Sequence, residues 1–516
     1  MIEEKMITQT LEKPTETKQV LGHLVNGTIV NYDNSCLDVF NPAYGTISKR
    51  VEVGGRSAVE AVISASVNAL PSWSQTPPIK RARVMFKFKE LLEKNTDKIC
   101  RLIGEEHGKI LHDAKGELQR GIENVEFACA APELLKGEHN KNVGASIDYW
   151  SEFSPVGIVA GITPFNFPAM IPLWMYPLAI ACGNCFVLKP SEKDPSSTMF
   201  IAELLHKAGL PDGVLNVING NEKTAQMLLE DKRISAVSFV GSTKVARSVY
   251  AAAVKHEKRC QALGGAKNHA VVMHDCDLDS VVNQLLGAAF GSSGQRCMAI
   301  SVAVIVGNDL ATKFMEKMKK ATSELKVGLF NNPNNDFGPL VTETHKKKIE
   351  ALIASAERDG AKIVLDGRGL KVSGGLEEGS FLGPTLIDNT EPWMESYKEE
   401  IFGPVLQVVR VKNLSQAIDV INDNDYGNGA CIFTGDGNSA RIFSEKAGAG
   451  MIGINVPLPV PAASQSFGGW KDSLFGDLHI YGPDGVRFYT KRKTISQKWP
   501  GSDRRETRQF SMPSND

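Results

Sequence analysis

From Gly157 to Met273 short apolar runs alternate with amphipathic segments, and this alternation limits the possible folds more than any other feature of the chain. Gly157–Ile162, Cys185–Leu188, Val214–Ile218, Ile234–Val240 and Ala270–Met273 read as buried strands. Ser197–Ala208, Glu222–Glu230 and Lys244–Val254 read as the helices between them. Strand and helix alternating at this spacing predict an α/β fold with a parallel, doubly wound sheet. The rhythm resumes after Cys297, with strands at Val302–Val306 and Leu406–Val411. Helices at Leu310–Thr322, Thr344–Asp359 and Leu414–Asp423 complete a second α/β unit. Upstream, Val84, Phe88, Leu91 and Leu92 form one apolar stripe of a helix over Lys80–Lys94. Leu118, Ile122, Val125 and Cys129 do the same over Lys115–Ala131.

Other segments fall outside this rhythm. Ala145–Phe153, and Val486–Tyr489 with the residues after it, read as exposed β-arms of the kind that pair across subunits. The polar ends, Met1–Lys18 and Pro500–Asp516, are expected to be loosely ordered. No repeat or low-complexity linker separates the units, so they are expected to share interfaces. Between Glu152 and Lys189 there is no charged residue, which is long enough to raise the question of a membrane span. Pro155, Pro164, Pro168, Pro172 and Pro177 interrupt it. Proline removes a backbone donor and breaks helices, so buried strands and loops around a site are expected there instead.

Composition excludes several functions. The 516 residues carry 58 Lys+Arg against 59 Asp+Glu, a net charge of -1. A nucleic-acid partner would need a basic surplus, and none exists. Small-molecule partners are expected, with no membrane. The nine cysteines are scattered and odd in number, which suits free thiols in a reducing compartment. The first eighteen residues contain no apolar core of a signal peptide, so the cytoplasm is the expected location.

Several short motifs could carry chemistry. Residues 448–453 match GxGxxG, but a proline-rich run follows where a phosphate loop needs a helix. Strand Ile234–Val240 runs into Gly241-Ser242-Thr243 and then a helix, a better dinucleotide site. Glycine admits a phosphate to the backbone there, and a helix N-terminus favours an anion. The same residues would also serve as an ordinary helix cap. Lys189-Pro190-Ser191-Glu192 lies at the C-terminal end of another strand, where open α/β sheets bind ligands. Lys189 and Glu192 suit ribose hydroxyls there, or a solvated turn.

Cys182 and Cys185 form a lone CxxC with apolar neighbours, which reads as two buried core thiols. Without a second pair or a histidine cluster at zinc spacing, no metal is expected. Cys297 differs, because it follows the small-residue loop Gly291–Gly294 and sits beside Arg296. A cation turned inward would lower its pKa. Asn166 lies in the rigid, apolar turn Thr163–Pro168, where its NH2 would suit a developing oxyanion.

In this order the segments resemble the NAD-dependent aldehyde dehydrogenase superfamily. The resemblance runs from about Asn41 to Lys493. It includes Thr163–Pro168, Gly183-Asn184, Lys189–Glu192, Gly209–Gly213, Phe239–Thr243, Gly294–Cys297, Glu400–Pro404 and Ser466–Gly469. It implies a Rossmann-like cofactor domain over 19–138 and 158–263, an α/β catalytic domain over 264–474, and an oligomerisation β-arm over 139–157 and 475–498. A homodimer or homotetramer follows from that arm. Cys297 would be the nucleophile, and Asn166 with the Cys297 N–H the oxyanion hole. Lys189 and Glu192 would hold the adenosine ribose of NAD, and Ser242 its pyrophosphate. Glu400 would hold the nicotinamide ribose, with Phe402 and Phe165 beside the cofactor.

One position departs from the hydrolytic members, which carry a water-activating Glu two residues before Gly-Gly-Lys. Aligned on Gly265-Ala266-Lys267, that position is Leu263, or Ala262 with a shift of one residue. Neither takes a proton, so unassisted water would attack a thioester slowly, and a thiol such as coenzyme A is the better nucleophile. The departure, with Gly265–His269, Gln295–Ala299 and Val486–Thr490, is similar to the CoA-acylating methylmalonate-semialdehyde dehydrogenases. In that branch Arg120 and Arg296 would handle the substrate carboxylate, for which arginine is the favoured partner. The residues leave open a hydrolytic dehydrogenase with another base, and an inactive binding protein on the same fold.

Overall fold

The run beginning at Ala270 falls in a second sheet, while the other four buried runs and one strand not anticipated form the parallel centre of an eight-stranded sheet in the computed structural model, which describes residues 20–33, 35–144 and 146–499. They are Arg259–Leu263, Ile234–Val240, Ile158–Ile162, Cys185–Lys189 and Leu215–Val217, in that spatial order. Three of these strands are buried at every residue, as a sheet covered on both faces requires. The chain builds outward from Ile158–Ile162 in one direction, then returns to its other side with Ile234–Val240. The order therefore reverses between these two neighbours, and a crevice opens at their carboxyl ends. Thr163–Asn166 and Gly241-Ser242 leave those ends.

The second α/β unit is a seven-stranded sheet. Thr385–Asp388, Val405–Val411, Ile300–Val306, Asn268–Val272, Gly429–Phe433 and Met451–Ile454 run parallel in that order, with Lys362–Leu365 antiparallel at the edge. Cys297 and Phe402 lie three residues before two of these strands, Asn428 immediately precedes a third, and Asn268 begins a fourth. All four positions lie at one end of the sheet because its strands are parallel. The site is assembled where the carboxyl end of the first sheet meets the amino end of the second.

The proline-rich stretch corrects one expectation. Met170–Ala181 is a helix, not strand and loop, and every residue in it is buried. Pro172 falls in the first turn, where its missing N–H has no intrahelical partner to lose. Pro177 does remove an internal donor. A helix that is apolar all round is held by burial on every side, which outweighs that loss. Its first turn is capped from outside: Glu117 Oε1 accepts the N–H groups of Ala169 at 2.8 Å and Met170 at 3.2 Å. Among the described residues no helix is long and apolar enough to cross a membrane.

The end of the chain corrects another. Val486–Tyr489 belongs to the helix Gly482–Tyr489, and the arm strand is Thr490–Lys498. Phe475, expected to start the arm, pairs instead with Ala262 at the edge of the first sheet. Thr490–Lys498 pairs antiparallel with Ile147–Pro155, which pairs with His139–Gly144. Ala145 and the two polar tails, 1–18 and 500–516, lie outside the described residues. All nine cysteines are free, and Cys182 and Cys185 are buried core thiols as expected. Residues 448–453 lead into the strand Met451–Ile454, so no helix follows that glycine motif.

Candidate active site

The loop that carries Cys297 is held in a shape most side chains avoid. Ser292 and Ser293 have φ of 54° and 55°, in the left-handed region. Ser293 Oγ donates to the Gly338 carbonyl at 2.6 Å and pins this turn. Gly294 comes next, and a Cβ there would stand 2.0 Å from the Gly403 carbonyl oxygen. Only glycine lets the Cys297 loop press against the Glu400–Pro404 loop. Phe402 is also left-handed, at φ 54°, and its carbonyl accepts a 2.8 Å hydrogen bond from His345 Nε2.

These two loops close one side of a cleft of about 460 Å³. Thr163–Asn166, Ser191–Lys193 and Phe239–Ser242 line it from the first sheet. Cys297, His345, Lys348, Glu400 and Phe402 line it from the second. The cleft thus gathers Cys297, Asn166, Phe165, Glu192, Ser242, Glu400 and Phe402, seven of the residues singled out by sequence. Lys189 lies just beneath, with Nζ 2.8 Å from the Pro190 carbonyl and 3.2 Å from Glu192 Oε2. Burial pulls the Lys189 ammonium down, although the Glu192 charge opposes this. Ser242 occupies the N-cap of the helix Thr243–Lys255, and its side chain makes no capping bond.

The charges near the sulfur are arranged against ionisation. Burial pushes the Cys297 thiol up to about 12, and the Glu400 carboxylate adds to the shift. The backbone N–H groups of Cys297 and Met298 pull the other way, with Arg296 the smallest influence. Glu400 is itself pushed up to about 7 by burial. Its Oε1 accepts the Ala266 N–H at 2.9 Å. A Cβ on Gly265 would approach Glu400 Oε2 to 2.5 Å, so glycine makes room for that carboxylate.

Asn166 is placed by its neighbours on both sides. Its Nδ2 donates to the Gln295 carbonyl at 3.1 Å, two residues before Cys297. Its own carbonyl accepts Lys109 Nζ at 2.7 Å, and the same ammonium meets Glu117 Oε2 at 2.6 Å. Lys109 and Glu117 are both fully buried. Sequence reasoning missed this pair, because nothing local in the chain marks Lys109 and Glu117 as partners. It also missed Lys193, in the turn after Glu192, and His345 and Lys348, which the run of cations on the predicted helix Thr344–Asp359 could have flagged.

Arg120 lies on the helix Leu111–Cys129 and Arg296 on the Cys297 loop, and each is already paired. Arg120 Nη1 meets Glu123 Oε2 at 2.5 Å, and Nη2 donates to the Pro461 carbonyl at 2.5 Å. Arg296 forms an ion pair with Asp113 in the first turn of that helix. Its guanidinium therefore faces Asp113, and the thiol is not lowered as an inward cation would lower it. Leu263 ends the strand Arg259–Leu263 and is buried in the apolar core. Ala262 beside it is buried in the same core.

The aldehyde dehydrogenase family model matches residues 29–495. A malonate-semialdehyde dehydrogenase of Pseudomonas aeruginosa is 57% identical over 494 residues, covering 96% of this chain and 99% of its own length. The acylating, mitochondrial methylmalonate-semialdehyde dehydrogenase of Arabidopsis thaliana is 47% identical, over 92% of this chain and 78% of its own. The solved structure of a methylmalonate-semialdehyde dehydrogenase from Oceanimonas doudoroffii superposes with a TM-score of 0.92 at 63% identity, covering 94% of this chain and 99% of that one. A structure from Sinorhizobium meliloti 1021, solved in complex with NAD, gives 0.93 at 46%, covering 95% and 100%. The match spans both sheets, the Cys297 loop and the arm, and the chain belongs to the aldehyde dehydrogenase family.

Proposed function

We propose that the chain is an NAD-dependent, CoA-acylating dehydrogenase of malonate semialdehyde or its methyl derivative. One observation carries the acylating part: Cys297 and Asn166 share the cleft, while Leu263, where hydrolytic members carry a glutamate, is buried in the apolar core. The names of the relatives support the substrate.

The cleft suits a dinucleotide. Ser242 offers a hydroxyl that makes no capping bond at a helix N-terminus, where a pyrophosphate is favoured. Lys189 and Glu192 would hold the adenosine ribose, and Glu400 the nicotinamide ribose. Phe165 and Phe402, whose ring centroids lie 6.1 Å apart edge to face, flank that end. NAD, when bound, supplies the hydride acceptor.

Cys297 loses its proton and adds as thiolate to the aldehyde carbon. Asn166 Nδ2 exchanges the Gln295 carbonyl for the developing oxyanion, with the Cys297 N–H as second donor. Hydride loss from that carbon leaves an acyl thioester on Cys297. The thioester carbonyl lies β to the substrate carboxylate, so it accepts the electron pair released when CO2 departs, and the enolate formed takes a proton from solvent at its α-carbon. The thiol of CoA then attacks the thioester carbon, and Cys297 leaves as thiolate. Arg120 and Arg296 would hold the substrate carboxylate by exchanging Glu123 and Asp113 for it. The three-stranded arm is proposed to join subunits in a dimer or tetramer.

Malonate semialdehyde and NAD incubated with CoA should yield acetyl-CoA and NADH. Free acid formed equally fast with and without CoA would instead establish a hydrolytic enzyme. NADH formation by Cys297→Ser at the parent rate would remove Cys297 from the mechanism.

A further inference from the structure

Two asparagines outside the scheme above meet behind Cys297. Asn268 begins the strand Asn268–Val272, and Asn428 immediately precedes Gly429–Phe433. Asn268 Nδ2 donates to the Cys297 carbonyl at 2.9 Å and to the Ala299 carbonyl at 3.0 Å. Asn428 Nδ2 donates to the same Cys297 carbonyl at 3.0 Å and to Met298 Sδ at 3.1 Å. The Asn268 amide is oriented by its Oδ1, which accepts the Gly429 N–H at 3.0 Å. Asn268 is 1% exposed and Asn428 6% exposed.

One partner would satisfy that carbonyl, yet amides from two strands occupy both of its lone pairs. The carbonyl belongs to the peptide unit whose N–H is that of Met298. Hydrogen bonds accepted by a peptide carbonyl polarise the unit and strengthen its N–H as a donor. The N–H groups of Cys297 and Met298 both favour the ionised sulfur.

We propose that Asn268 and Asn428 are positioning residues for the reaction, whose clamp on the Cys297 carbonyl aims and polarises the Cys297–Met298 peptide so that its N–H stabilises the Cys297 thiolate. The proton is released to solvent, and the two amides touch neither substrate nor cofactor. The proposal rests on Cys297 as nucleophile, but its test needs no turnover.

The full-length protein is alkylated with iodoacetamide across pH 6–10, and modification of Cys297 is followed by peptide mass. Asn428→Ala should move the alkylation curve to higher pH and slow the reaction at pH 8 by about threefold to tenfold, the worth of one hydrogen bond. Asn428→Ser, which keeps one O–H donor, should fall between Ala and the parent. NAD titration should be unchanged in both variants. If Asn428→Ala does not fold, Asn428→Ser and Asn268→Ser carry the test. A curve superimposable on the parent's in any folded variant overturns the proposal, since a merely structural clamp would lower stability without moving the curve. Parent-rate NADH formation by Cys297→Ser would overturn the nucleophile reading separately.

Discussion

Lys109 Nζ donates to the backbone carbonyl of Asn166 at 2.7 Å and so ties the proposed oxyanion donor to a fully buried ion pair with Glu117. Lys109→Met leaves the Glu117 carboxylate buried without its counter-charge. Breaking such a pair costs about 3–5 kcal/mol. Chemical denaturation should show a loss of that order. Lys109→Met combined with Glu117→Gln should recover most of it, because no unpaired charge remains. An equal loss in the double variant would show that packing, not charge, is at stake.

Glu400 and Cys297 act on each other through charge. As Glu400 ionises near pH 7, its carboxylate opposes formation of the Cys297 thiolate. Glu400→Gln keeps an acceptor for the Ala266 N–H but removes the charge. Alkylation of Cys297 should then rise at lower pH than in the parent. NAD affinity, measured by fluorescence titration, should weaken if Glu400 holds the nicotinamide ribose. A curve moved to higher pH would contradict the electrostatic argument.

The role of Arg120 is tested by substrate charge. Arg120→Gln should lower kcat/KM for malonate semialdehyde about tenfold to a hundredfold, as expected for hydrogen bonds to a charged group. Propanal, of similar size and without a carboxylate, should lose far less. Equal losses on both aldehydes would assign Arg120 to holding the Pro461 loop instead.

His269 predicts a pH dependence of stability. Burial brings its imidazole down to about 3, while its Nε2 lies 2.8 Å from the Tyr397 hydroxyl. The unfolded chain takes up this proton near pH 6.5 and the folded protein only near pH 3. Between those values the unfolded state binds more protons, so stability falls as pH falls from about 6.5 towards 3. Thermal melts of His269→Asn should lose part of that acid sensitivity. An unchanged slope would assign it to other groups.

Much of this molecule was legible along the chain because the signals were local. Alternating apolar and amphipathic runs in 157–273 require helical crossovers between strands buried on both faces, and the parallel sheets follow. The glycine and proline motifs around Asn166, Ser242, Cys297 and Glu400 are contiguous, and seven of the singled-out residues do line one cleft. Met170–Ala181 misled because its helix depends on burial from all sides and on a cap from Glu117, more than fifty residues earlier in the chain.

What local sequence determined was the element pattern and the residue types able to do chemistry. What only tertiary structure decided was which of those groups meet and in what electrostatic state. Arg296 is adjacent to Cys297 in sequence, yet its side chain pairs with Asp113. Lys109 and Asn428 carry no motif, and Asn268 lies in one without a role assigned to it, yet they hold Asn166 and the Cys297 carbonyl in place. The physical reason is that a hydrogen bond or a pKa depends on distance and burial in space. Neither quantity exists until two sheets bring distant segments of the chain together.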